Sequence, residues 1–150
     1  MSQSDNKIIQ HVYETVTSLD SGVELKLKKR NDGHEGSHTF KEGHDIIAEL
    51  DLVKDNESGF TDYESIGHEV KHLFDFQMGL TTRKQDIHGI ALDEYRTVNF
   101  ENLLRKDEGR PLRKEYEGFP IPLKEKNFYN LEKRLNNENH KHIIHVLLLL

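Results

Sequence analysis

The chain has 150 residues, with 21 Lys and Arg against 27 Asp and Glu for a net charge of −6, and its length suits one domain with a real core. Hydrophobic residues make up 34%, below the roughly 45–50% of an ordinary domain, so a modest core with polar margins is expected. The acidic balance argues against a duplex nucleic-acid surface, and zero cysteines exclude a disulfide scaffold, a thiolate zinc site and a cysteine nucleophile.

The N-terminus MSQSDNKIIQ has no basic start followed by an apolar core, so no secretory signal is read there. Residues 7–19 suit either a helix or a strand, because β-branched residues blur the period. Val23 to Lys29 alternates apolar with charged residues, the period-2 pattern of a half-buried strand. Residues 31–44, with three glycines and little apolar content, read as a loop. Asp45 to Val53 returns to β-favouring residues and is expected to pair with the earlier strand.

The clearest helix follows. Thr61-Asp62-Tyr63-Glu64 is a capping box, Gly79 supplies a left-handed stop, and Tyr63, Ile66, Val70, Leu73 and Phe74 form one apolar stripe. A second helix is predicted from about Ile90 to Lys106, with Leu92, Tyr95 and Leu103 inward and an end at Gly109 and Pro111. A third is expected at about Asn127–Asn136. The C-terminal run His-Ile-Ile-His-Val-Leu-Leu-Leu-Leu is far short of the ~20 residues of a membrane helix. The chain reads as one soluble domain over residues 1–150, its tail from about 137 of low order, with no membrane and no nucleic-acid partner. Its compartment is expected to be the cytoplasm or a destination reached without a signal peptide.

The motif HExxH occurs twice. At His34–His38 (HEGSH), Gly33 and Gly36 oppose a helix, and the stretch reads as a solvated loop. At His68–His72 (HEVKH) the motif lies mid-helix, and at 100° per residue the two imidazoles stand about 40° apart, nearly opposite the Ile66–Val70–Leu73 stripe. The helix can therefore bury one side and turn His68 and His72 toward one ion, with Glu69 beside it as a general base. A catalytic zinc takes three protein ligands and leaves a fourth position for water. On the second helix Glu94, Val98, Glu101 and Arg105 share a face, and Glu94 follows His72 by about 20 residues, an interval common in glutamate-ligand zinc peptidases. Asp93 and Glu101 are alternatives to Glu94, as ligands or as acceptors from the imidazole N–H groups. Arg113 and Tyr116, three apart, would be neighbours on a helical turn and could both point at an oxyanion.

The order HEVKH, LDEYRTVNFENLLR, GRPLRKEY resembles the small zinc metallopeptidase domains of the NleD-like bacterial effector family, which also occur as C-terminal toxin modules of RHS-repeat proteins. The likeness covers about Ile46 to Tyr116. It implies an α+β, compact zincin-like domain: a small N-terminal sheet, then the active-site helix, then a glutamate helix. It also implies one Zn2+ ion held by His68, His72 and Glu94, with Glu69 as base and Arg113 and Tyr116 on the transition state. The chain departs from the family pattern at Lys71, where an uncharged residue is usual, and at Asp93, where Glu is commoner. The implied function is a zinc-dependent endopeptidase, a hydrolase acting as an effector or toxin on a protein substrate, with an immunity or delivery partner possible. Two other readings stand beside it: a non-enzymatic interaction module with an incidental HExxH, and a metal-sequestering or structural-zinc protein drawing on other histidines, His34, His38, His44, His140, His142 and His145.

Overall fold

A computed structural model describes residues 4–18, 22–27, 36–82 and 84–121. The expected helix at 127–136, the C-terminal tail and His34 lie outside them. The described residues are mixed α and β, with four helices and two small sheets, and none of those helices is long and apolar enough to cross a membrane. They form two compact units, residues 12–81 and residues up to 11 together with those from 82 onward.

Within the ambiguous stretch 7–19, Lys7–Val16 form a helix, α1. Asn6 caps it, its Oδ1 accepting from the backbone N–H of Ile8 at 2.9 Å and of Ile9 at 3.3 Å. Ile8, Ile9, Val12 and Val16 are buried, the spacing of a single helical stripe, and this burial outweighs the β-branched residues' local preference.

In the unit of residues 12–81, β1 (Val23–Leu27) pairs with β3 (Asp45–Leu50) as expected, in parallel, but its alternation does not mark a half-buried strand, since Leu25 and Leu27 are both exposed. The loop reading of 31–44 is corrected. Residues His38–Glu42 form β2, antiparallel to β3, and β3 becomes the central strand of the order β1-β3-β2. Glu42 faces Asp45 across a two-residue turn in which Gly43 takes φ +62°, a conformation glycine adopts without strain. The glycines thus mark the turn, while His38-Thr39-Phe40 beside it is β-compatible. Leu52 and Val53 leave the expected strand for α2 (Leu52–Glu57), whose first turn Asp51 caps by accepting from Lys54 N at 3.2 Å.

Helix α3 (Asp62–Gln77) follows, packed on β3, β2 and α2. Its capping box is formed at both ends, Thr61 Oγ1 accepting from Glu64 N at 3.2 Å and Glu64 Oε2 accepting from Thr61 N at 3.1 Å. Beyond Met78, Gly79 at φ +67° lets Leu80 N reach back to Asp75 O at 2.7 Å, closing the helix in a Schellman motif. Val70, Leu73 and Phe74 of the anticipated stripe are buried, and so are Glu64, Ser65, Glu69, Lys71 and Asp75. The helix is therefore enclosed on more sides than a simple amphipathic pattern implies.

The other unit is built on α4 (Leu92–Asp107). The loop leading into it is braced by Asp86, whose Oδ1 accepts from His88 N at 2.8 Å and Ile90 N at 3.0 Å, while its Oδ2 accepts from the Tyr95 hydroxyl. Ile90, Tyr95, Val98 and Ile121 form a core cluster with Tyr116 against it. Tyr95 and Leu103 of the expected inner face of α4 are buried, and Leu92, 39% exposed, is not. Every residue from Thr97 to Leu104 is buried, including Val98 and Glu101 of the supposed acidic face. A helix buried all round loses the polar stripe from which a face is read. Past Gly109 the chain runs to a hairpin of β4 (Glu115–Tyr116) and β5 (Phe119–Pro120). Its turn residues Glu117 and Gly118 both have positive φ, the geometry of a type I′ turn.

Candidate metal centre

The α3 backbone sets the first two candidate ligands. His68 and His72 are one turn apart, with their Nε2 atoms 3.3 Å from each other and their rings edge to face at 5.0 Å. One ligand atom from each of His68, His72 and Glu94 lies within 4.8 Å of the others, so the group could hold a metal ion. The donor set fits zinc. With bonds of about 2.0–2.1 Å and tetrahedral angles, two imidazole nitrogens on one zinc stand roughly 3.4 Å apart, the spacing this pair already has. Two nitrogens and one carboxylate oxygen also leave a fourth position open.

The alternatives to Glu94 are engaged elsewhere. Asp93, mostly buried in the first turn of α4, accepts from Thr82 N at 3.3 Å. Glu101 is buried between two guanidinium groups, its Oε1 taking Arg105 Nε at 3.0 Å and its Oε2 taking Arg113 Nη1 at 2.9 Å. Among the described residues, His68, His72 and Glu94 form the group of suitable spacing, and neither Asp93 nor Glu101 belongs to it.

Glu69 is 4% exposed, and its Oε2 accepts from the Thr39 hydroxyl at 2.6 Å. Thr39 thus holds the proposed base in a fixed orientation, a partner hidden from the sequence because its strand lay inside the presumed loop. The departure at Lys71 also has a local explanation. Its ammonium, fully buried, sits 2.6 Å from Asp75 Oδ1 one turn further along and 5.8 Å from the centre of the Phe74 ring. The added cation therefore comes with its own counter-charge.

Arg113 and Tyr116 do not share a helical turn. Arg113 lies in the irregular stretch after α4 and Tyr116 in β4, because Pro111 and the hairpin turn keep the chain extended. They meet nonetheless, the Arg113 guanidinium lying over the Tyr116 ring at 5.0 Å. Arg113 Nε also donates to Glu115 O at 2.9 Å. Burial first, then the neighbouring charge of Glu94 and a hydrogen bond to it, push the Tyr116 hydroxyl well above the usual phenol range. Tyr116 therefore stays neutral and can donate, with its hydroxyl beside the third candidate ligand.

Of the first copy of the motif the structure describes Gly36, Ser37 and His38. His38, the last residue of HEGSH, lies on β2 opposite Glu49, with Nε2 3.6 Å from Glu49 Oε2. His44 is exposed in the adjoining turn, and His34, His140, His142 and His145 fall outside the described residues. Compared with protein-family models, with curated proteins and with solved structures, the chain matches none.

Proposed function

We propose that the chain is a zincin-like, zinc-dependent endopeptidase domain of the NleD-like kind. The observation that carries this reading is the close approach of His68, His72 and Glu94, two imidazoles 3.3 Å apart with a carboxylate within 4.8 Å. Zinc bound there supplies Lewis acidity, lowering the pKa of a water molecule towards ~7 and polarising a carbonyl. Glu69, aimed by Thr39, takes the proton from the attacking water and passes it to the departing amine. Tyr116, neutral and a donor, stabilises the oxyanion of the tetrahedral species, a contribution of about 3 kcal/mol for one donor. Arg113 adds positive charge behind the Tyr116 ring, although its guanidinium is already committed to Glu101 and Glu115.

By resemblance, the substrate is a protein of a target cell and the chain an effector or toxin, met by an immunity or delivery partner. The deciding experiment is Glu69→Gln, which keeps the shape of the side chain and removes the base. Zinc should remain at one ion per chain while cleavage falls by about 10²–10⁴. Cleavage at the wild-type rate in zinc-loaded Glu69→Gln would refute the mechanism. A wild-type protein that binds no zinc would refute the metal centre itself.

A further inference from the structure

The segment that carries Tyr116 has little regular structure of its own, and side chains of α4 hold it. Asn102, 2% exposed, makes two hydrogen bonds to the backbone of a single residue: its Oδ1 accepts from Arg113 N at 2.6 Å and its Nδ2 donates to Arg113 O at 3.0 Å. The carboxamide thereby takes the place of a neighbouring strand, satisfying both backbone groups of Arg113. One residue earlier, Glu101 receives the Arg113 side chain. At the far end of the segment Tyr116 packs on the Ile90–Val98 core cluster with the Arg113 guanidinium over its ring at 5.0 Å, near enough to Glu94 for that carboxylate to hold its hydroxyl above the usual phenol range.

The distances match. Glu94 and Glu101 lie on one face of α4 two turns apart, about 10.5 Å along the axis at 1.5 Å per residue. Arg113 to Tyr116 is three steps of extended chain, about 10 Å. The stretch is thus pinned at both ends against equal lengths of α4. A slip of one residue would move Tyr116 by about 3.3 Å and turn its side chain to the other face, off the core cluster it packs on.

We infer that Asn102 is a positioning residue: by clamping the Arg113 backbone it sets the register that places the Tyr116 ring under the Arg113 guanidinium and on the core of this unit. Its role in turnover rests on the hydrolase reading above, whereas its effect on Tyr116 can be read without metal. The chain has five tyrosines, and Tyr63 provides an internal control because it lies on α3 in the unit of residues 12–81, whereas Tyr95 belongs to the cluster that Tyr116 packs against.

The test uses the full chain, metal-free, with ring-labelled tyrosine, observed by NMR in Asn102→Ala and in Asn102→Asp. The second variant keeps the acceptor and loses the donor, and it serves alone if the first does not fold. Tyr116 ring signals should move towards those of free tyrosine and the Arg113 amide should exchange faster, while Tyr63 stays at its wild-type position. A Tyr116 ring unmoved in the folded variants would overturn the inference, and so would equal movement of Tyr63 and Tyr116, the mark of a general fold defect. In the zinc-loaded protein acting on labelled casein, Asn102→Ala should lower kcat by up to about 10²-fold with little change in KM. It should cost nothing further in a Tyr116→Phe background, and an equal loss in both backgrounds would overturn the role in turnover. If the wild type cleaves nothing, the hydrolase reading is what fails, and the NMR result still decides the clamp.

Discussion

Replacing Lys71 with methionine removes one half of an ion pair whose side chains are 0% and 1% exposed and whose atoms stand 2.6 Å apart. At an effective dielectric constant near 20, two unit charges at that distance attract by about 6 kcal/mol, most of it offset by the cost of taking both out of water. Lys71→Met leaves the Asp75 carboxylate buried beside an apolar side chain, and it should cost about 3–5 kcal/mol. For a chain of this length that corresponds to a melting temperature lower by roughly 10 °C. Asp75→Asn should cost a similar amount by stranding the ammonium. The double variant Lys71→Met/Asp75→Asn removes both charges and should lose at least about 2 kcal/mol less than the two single losses summed. Urea titration of the four proteins, with equal m-values as the check on two-state unfolding, measures the coupling. Single losses that add to within about 0.5 kcal/mol would refute the claim that Asp75 is what makes a buried cation tolerable beside the candidate ligand His72.

Thr61→Ala should destabilise the protein by about 1 kcal/mol, read as a lower urea midpoint, because Glu64 N loses its capping acceptor. The Asp86–Tyr95 bond should shape both pH limbs of stability. The Tyr95 hydroxyl, followed by the His88 and Ile90 backbone N–H groups, holds Asp86 below its ordinary 3.8, so its contribution is present above that pH and lost as acid titrates the folded carboxylate. Chiefly through that bond, Tyr95 is raised from 10.0 to about 12, so its contribution is complete below pH 10 and lost as pH rises through 12. Asp86→Asn should flatten both limbs in unfolding curves taken across pH, and unchanged limbs would show that the bond carries no linkage. His68→Ala should weaken zinc binding by more than the roughly 10–100-fold cost of losing an outer partner, with the fold intact by circular dichroism. Undiminished stoichiometric zinc in that variant would move the site to the other histidines.

Local signals in the sequence determined the elements that need few distant partners. Thr61 and Glu64 at one end and Gly79 at the other bound α3 whatever surrounds it, because caps and left-handed stops act within one turn. The same periodicity placed His68 and His72 on adjacent turns, and the alternation of Val23 to Leu27 marked β1. Thr39-Phe40 became a strand only because β3 offered it a ladder, and with that strand came the partner of Glu69. Glu94, Asp93 and Glu101 are equivalent carboxylates on paper. The fold separates them, giving Asp93 to a backbone N–H, Glu101 to two arginines, and Glu94 to the histidines and Tyr116. Helix and strand periods are properties of a few consecutive residues, whereas the partner of a buried charge is chosen by whatever the folded chain brings within about 3 Å of it.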